Sequence, residues 1–328
     1  MADRIRWGII GCGNISHKFA EGLRVLEDAE LLAVGSRTQE KADAFGAEFG
    51  APRCYGSYEA LANDPDLDAV YVGTPHPMHK GNSILCLRAG KAVLCEKPFA
   101  INRREAEEVI KVAREEKRFL MEAMWTRFLP IIVKVREWLK EGRIGEPRMI
   151  QADFGFRAGY DEESRLFSPH FGGGGLLDVG VYCVSMASMV FETPPQKISG
   201  LAHLGDTGVD EQAAYVLGYS GGRLALLSSA VRTNTPHEVT IMGTDGMIRV
   251  HSMFWCGTRA TLTESGHDPI DAELPLLGNG YNYEAAAAGQ CIREGKLECE
   301  TMPLYETLEI MDTLDRIRAQ WGLKYPME

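Results

Sequence analysis

Three stretches of this 328-residue chain carry side chains that folding alone does not explain. Lys97 and Glu96 follow the apolar run Val93-Leu94-Cys95, so the lysine amine is carried to the end of a buried strand. A cation held there stabilises a developing alkoxide or lowers the pKa of a neighbouring phenol. The alternative is a lysine that snorkels to solvent. Tyr182 closes the stretch Gly172 to Tyr182, GGGGLLDVGVY, with Asp178 four residues before it. On a helix the two share a face. A phenol beside a cation is a general acid/base able to take the proton of a hydroxyl under oxidation. Without Lys97, Tyr182 reads as a half-buried core aromatic. The glycines before it stand inside a folded domain and ahead of an apolar helix, which favours close backbone approach to a ligand over a flexible linker. Trp125 and Arg127, in Met124-Trp125-Thr126-Arg127-Phe128, suit a pocket that stacks on a ring and hydrogen-bonds its hydroxyls, and suit packing at a domain junction equally well.

The elements that must position these groups begin at the N-terminus. Ile5, Trp7, Ile9 and Ile10 form an apolar run that enters Gly11-Cys12-Gly13-Asn14-Ile15-Ser16. A helical stretch and a second apolar run, Leu31 to Val34, follow. This is the strand, glycine turn, helix and strand of a dinucleotide-binding unit. Gly11 permits the turn, Gly13 lets the backbone approach a pyrophosphate, and the first helical amides at Asn14 and Ile15 face that anion. Ser16 replaces the third glycine of the pattern. The second strand ends at Ser36-Arg37-Thr38 with no Asp or Glu to read a ribose 2′-hydroxyl. Arg37 instead offers a planar cation to a 2′-phosphate, with Ser36 and Thr38 as small donors, so NADP(H) is expected over NAD(H). The plainer reading of Arg37 is a solvated loop residue.

Strands and helices then alternate to about residue 122, which predicts a doubly wound parallel sheet of Rossmann type. Ligands in such sheets sit beyond the C-terminal strand ends. Thr74, Pro75, His76 and His79 follow one such end, and Glu96 and Lys97 another. The two histidines are placed to reach a nicotinamide, although isolated histidines are more often structural. Beyond about Ala123 the rhythm changes to hairpin-linked strands, with turns at Ser220-Gly221-Gly222 and Thr244-Asp245-Gly246. The expected organisation is a dinucleotide-binding domain over 1–122 and a substrate and dimerisation domain over 123–328. The second is α+β with a mostly antiparallel sheet. A final helix at about 303–321, with Leu304, Leu308, Met311, Leu314 and Ile317 on one stripe, is expected to pack back on the first domain.

Composition narrows the partners. The net charge is −11, from 35 Lys and Arg against 46 Asp and Glu, which disfavours nucleic acid and anionic membrane surfaces. Eight cysteines without a C-x-x-C pair fit a reducing compartment rather than a disulfide frame or structural zinc. No cluster has metal-ligand spacing. No signal peptide precedes the first strand and no apolar segment is judged long enough to span a bilayer, so a cytoplasmic protein is expected.

With these motifs assembled, the chain resembles the glucose–fructose oxidoreductase/inositol dehydrogenase family. It is most similar to the dimeric dihydrodiol dehydrogenase branch, which includes NADP-dependent D-xylose 1-dehydrogenase. IIGCGNISHKFA, TPHPMH, CEKP, EAMWTRFLP, GGGGLLDVGVY, MGTDGMIRV and the ending QWGLKYP carry the likeness along nearly the whole chain. The resemblance implies an open-faced antiparallel sheet used for dimerisation, giving a homodimer or a dimer of dimers. It also implies a cis Pro98 and Lys97 near the nicotinamide and the substrate hydroxyl; Phe154 is expected to join Trp125 and Arg127 in lining the substrate pocket. Tyr182, where many relatives carry His, matches the dihydrodiol branch. The implied activity is NADP-dependent hydride transfer to or from a hydroxyl carbon of a cyclic polyol, either an aldose such as D-xylose or a trans-dihydrodiol. The alternatives are action on inositol or a nucleotide sugar, and a non-catalytic NADP(H)-binding regulator.

Overall fold

The computed structural model describes residues 4–328. In chain order the first part holds β1 (Ile5–Ile10), α1 (Asn14–Leu23), β2 (Ala29–Gly35), α2 (Gln39–Phe49), β3 (Arg53–Tyr55) and α3 (Tyr58–Ala62). It continues with β4 (Ala69–Val72), α4 (His79–Arg88), β5 (Ala92–Glu96), α5 (Arg103–Glu116) and β6 (Leu120–Ala123). The six strands pair in parallel in the order β3-β2-β1-β4-β5-β6. The order reverses between β1 and β4, the switch point where such sheets bind ligands. Strands β4 and β5 are buried at every residue, as a sheet covered on both faces requires. Local chemistry starts the helices: Thr38 Oγ1 accepts Lys41 N–H, and Asn102 Oδ1 accepts Glu105 N–H at 2.9 Å. Glu105 reaches back to the amide of Ile101, one residue before the position a capping box predicts.

The chain goes on through α6 (Pro130–Lys140), β7 (Pro147–Gly155), α7 (Val181–Phe191), β8 (Lys197–Leu204), β9 (Asp210–Gly218) and β10 (Leu224–Ala230). Then come β11 (Val239–Gly243), β12 (Gly246–Val250), β13 (Arg259–Glu264), β14 (Ile270–Glu273), α8 (Tyr281–Arg293) and α9 (Leu304–Ala319). The second sheet has the order β14-β13-β12-β11-β7-β10-β9-β8, antiparallel except for the parallel pair β7 and β10. Both predicted turns join antiparallel neighbours. Residues alternate along β9, with Ala213, Tyr215 and Leu217 buried and Val216 exposed, so one face of this sheet is core.

The chain divides into two compact units. The first runs to Phe128 and takes in Leu276–Leu308, and the second holds Leu129–Pro275 and Glu309–Glu328. Helix α8 therefore belongs with the dinucleotide fold, although the sequence rhythm puts everything past about 122 in the second domain. The reason is steric: a Cβ on Gly22 of α1 would stand 2.9 Å from the amide nitrogen of Asn282, so the two helices approach closely. The division passes through α9, whose residues to Leu308 group with the first unit.

Contrary to the sequence expectation, one segment is long and apolar enough to span a bilayer. The helical stretch Pro169–Phe191 is apolar and long enough to cross a bilayer by length and composition, yet 94% of its apolar window is buried inside the protein. It is a core helix, and it carries Tyr182.

Candidate active site

In the first unit the glycine turn is built as its motif requires. Gly11 has φ +93°, its amide donates to Gly35 O at 2.9 Å, and a Cβ there would stand 2.9 Å from Gly73 O. Beside Gly13 nothing lies within 4 Å of where a Cβ would be, so the backbone ahead of Asn14 and Ile15 is open to a ligand. Ser16 is fully buried, and its hydroxyl takes space that Gly73 leaves: a Cβ on Gly73 would stand 2.5 Å from Ser16 Oγ. The missing third glycine is thus compensated on the neighbouring strand end.

At the end of β2, Ser36 is buried and Arg37 is exposed. Among the described residues no carboxylate pairs with Arg37, and its charge reaches the Tyr58 phenol. Thr38 is partly committed to capping α2. Thr74, at the end of β4, accepts Asn82 Nδ2 through its hydroxyl at 3.1 Å. His79 is fully buried, with Nε2 2.7 Å from Thr74 O and Nδ1 2.8 Å from Pro98 O. It ties the loops after β4 and β5 together, which gives it an indirect role at the site. Burial lowers the pKa of the ring, aided by the Lys97 charge and opposed by the two carbonyls. His76 lies next to it, ring centroids 5.8 Å apart.

Glu96 ends β5 almost fully buried. It accepts the Tyr71 hydroxyl at 2.5 Å and the Lys97 amide at 3.1 Å, so its carboxylate holds the backbone that presents Lys97. The Lys97–Pro98 bond is cis, as the resemblance implies, and Lys97 is half-buried. Glu284 of α8 is fully buried, and burial with the nearby Glu96 charge raises its pKa far above the usual carboxylate range. Trp125 stacks on Tyr281 at a centroid distance of 4.4 Å. Arg127 is 2% exposed and makes a two-pronged contact with Glu306, at 2.6 and 3.3 Å. That pair, 179 residues apart in sequence, gives Arg127 a structural task that local spacing could not reveal.

The second unit holds the other half of the candidate residues. Asp178 lies in a π-helical turn, Leu176–Gly180, that continues into α7, where Tyr182 is the second residue. Such turns inside helices are frequent at functional sites. Arg165 donates to Asp178 Oδ1 at 2.6 Å. Tyr182 is 5% exposed, and the Phe154 ring of β7 lies 5.5 Å from it. Phe154 in turn stacks on Trp255 at 3.6 Å, with His237 and Phe254 edge-on to it. Trp255 and His237 were not singled out from sequence; the only signal was the adjacent Phe254-Trp255 pair in a loop. The glycines before the turn are occupied by the protein itself. A Cβ on Gly173 would meet Leu166 O at 2.7 Å, and one on Gly174 would clash with Asp210 Oδ1. The close backbone approach read from these glycines is therefore to neighbouring protein atoms.

Residues 5–124 match the model of the oxidoreductase family with an NAD-binding Rossmann fold, GFO_IDH_MocA, and residues 132–249 match its C-terminal domain. The chain belongs to the GFO/IDH/MocA family. It is an NAD(P)-dependent dehydrogenase acting on CH–OH groups. Among curated family members, trans-1,2-dihydrobenzene-1,2-diol dehydrogenase of Danio rerio is 39% identical over 99% of both chains. The enzyme of the same name from Mus musculus is 37% identical over the same shares. Two solved structures superpose on nearly the whole chain. An aldose-aldose oxidoreductase from Caulobacter crescentus, complexed with glycerol, has a TM-score of 0.87 at 25% identity, covering 98% of each chain. The 3-ketoreductase KijD10 from Actinomadura kijaniata, in complex with NADP and TDP-benzene, has a TM-score of 0.86 at 27% identity, covering 97% of this chain and 98% of its own.

Proposed function

We propose that this family member oxidises a secondary or anomeric hydroxyl of a cyclic polyol, a trans-dihydrodiol or an aldopyranose such as D-xylose, or reduces the matching carbonyl, with NADP(H). The bound nicotinamide supplies the hydride acceptor or donor. Tyr182 takes or returns the hydroxyl proton, Lys97 orients that hydroxyl and provides the cation that favours the phenolate, and Asp178 steadies the tyrosine. Trp125 and Arg127 in the first unit and Phe154 in the second are the residues assigned to substrate contact, aromatic faces and a cation suited to a hydroxylated ring. The observation that carries the reading is the Tyr182 phenol beside the Phe154–Trp255 stack, an acid/base group next to a surface suited to a ring. The names of the curated relatives support the diol class.

The preference for NADP(H) rests on Arg37, exposed and without a carboxylate partner among the described residues. Replacing it by glutamate should raise KM for NADP by about 10- to 100-fold, the worth of a charge-assisted contact, while KM for NAD stays level or falls. Steady-state kinetics with both cofactors checks this, and an unchanged NADP/NAD ratio would contradict it.

The protein is further proposed to be a homodimer through the outer face of the second sheet, in a reducing cytoplasm that its eight free thiols suit. Val216 and Leu226 are cross-strand partners on that face and both are exposed, as is Leu201. Arginine at both Val216 and Leu226 should turn a dimer into a monomer in sedimentation. A monomeric wild type would contradict the assignment.

A further inference from the structure

The helix that carries Tyr182 starts without means to cap itself. Gly175, just before the π-turn, has no side chain to accept the first amides, and Leu176 is fully buried. A buried amide left unpaired is destabilising. Its partner comes from 34 residues further along. Asp210, the first residue of β9 and fully buried, accepts the Leu176 N–H through Oδ2 at 2.6 Å, and the Gly175 amide is directed at the same carboxylate. The fit is close enough that Gly174, at φ +106°, leaves no room for a Cβ beside Oδ1. Tyr325 provides a second anchor, its hydroxyl donating to Gly173 O at 2.9 Å. At the far end of the turn Gly180 rests on two hydroxyls: a Cβ there would stand 2.8 Å from Tyr215 OH and 3.1 Å from Ser229 Oγ. Asp210 Oδ1 is buried without a hydrogen-bond partner among the described residues, and the buried Tyr215 and Ser229 hydroxyls face each other beside it.

The turn therefore sits on a polar floor to which one strong bond, Asp210 to Leu176, ties it. We propose that Asp210 is a positioning residue for the acid/base helix, its grip on Leu176 setting the depth at which Asp178 and Tyr182 are presented. This rests on the reading of Tyr182 as the proton acceptor. A carboxylate is a stronger acceptor than a carboxylic acid and also complements the positive end of the helix dipole, so the grip tightens when Asp210 ionises. Burial, opposed by the amides it accepts, pushes the Asp210 pKa up to about 7. The Asp210 charge reaches Tyr215 on β9 and Tyr325 near the C-terminus, Tyr215 also faces Cys183 on α7, Tyr325 also faces Arg318, Glu328 and Asp315, and burial raises Tyr215, Tyr325 and Cys183. Asp210 is then the member of this cluster whose charge changes near neutrality. Because its folded pKa is raised, the stability it contributes is present at acid pH and is lost as pH rises through about 7.

The variant Asp210→Asn keeps an oxygen for Leu176 and removes the charge. With ring-13C tyrosine in the full chain, the Tyr182 resonance is the one missing from Tyr182→Phe. In the wild type both that resonance and kcat should step near pH 7, where Asp210 titrates. In Asp210→Asn both steps should vanish, with kcat down about tenfold and KM for NADP unchanged. Asp210→Ala, with no acceptor, should lose about a hundredfold in kcat. Steps that persist in Asp210→Asn, even with lower turnover, overturn the proposal, as does wild-type kcat in Asp210→Ala. If the resonance step vanishes in Asp210→Asn while Tyr182→Phe retains full turnover, Asp210 positions the helix and the acid/base reading of Tyr182 is what fails.

Discussion

Replacing Tyr182 by phenylalanine is expected to lower kcat by roughly 10²- to 10⁴-fold, the usual worth of a positioned proton acceptor. The ring keeps its packing against Phe154, so the fold and the aromatic stack survive and only the hydroxyl is lost. NADP(H) affinity should stay within about twofold, because the glycine turn, Arg37 and the loops after β4 and β5 all lie in the other unit. Stopped-flow turnover and cofactor fluorescence titration separate the two effects. Wild-type kcat in this variant would remove Tyr182 from the chemistry. A parallel loss of cofactor affinity would make its role structural.

The largest expected stability effect lies at Arg127. Its guanidinium is buried and paired with Glu306, and its charge also lowers the pKa of the fully buried Glu122. Burial nevertheless pushes Glu122 up to about 7, and Thr307 donates to its Oε2 at 3.0 Å. Removing the cation leaves Glu306 as a largely buried carboxylate without its ion pair. Arg127→Met should therefore cost about 3–5 kcal/mol in denaturant unfolding. The double variant Arg127→Met, Glu306→Leu should recover most of that loss, since two apolar groups of similar size replace a buried pair at little cost. A single variant as stable as the wild type would show that the pair holds nothing, and a double variant as unstable as the single would trace the loss to packing.

Local signals carried much of this fold. The glycine turn after β1, the Asn102 cap and the hairpin turns at 220–222 and 244–246 are written in adjacent residues, and each formed where the sequence placed it. Strands β3, β8 and β14 and helix α8 are not marked in the sequence pattern. In β8 a glycine interrupts the apolar alternation, β14 is only four residues long, and α8 is rich in alanine, with too few large apolar residues to mark a face. The site was legible where chemistry is local: the Lys97 strand end, the Arg37 strand end and the spacing of Asp178 and Tyr182. It was not legible where tertiary contact assigns the role. Nothing near Arg127 announces Glu306, and nothing near the glycines at 172–175 announces Asp210, whose carboxylate explains why a side chain is excluded at Gly174. His79 shows the same limit, since its two carbonyl partners lie on separate strand-end loops.

The most direct test of the proposed activity follows nicotinamide absorbance with NADP and NAD separately, against trans-dihydrodiols, aldoses and inositols. Turnover of a cyclic diol or an aldose, faster with NADP than with NAD, is the expected result. Tight NADP(H) binding with no turnover of any class would contradict it and would point to a family member that binds the cofactor without using it.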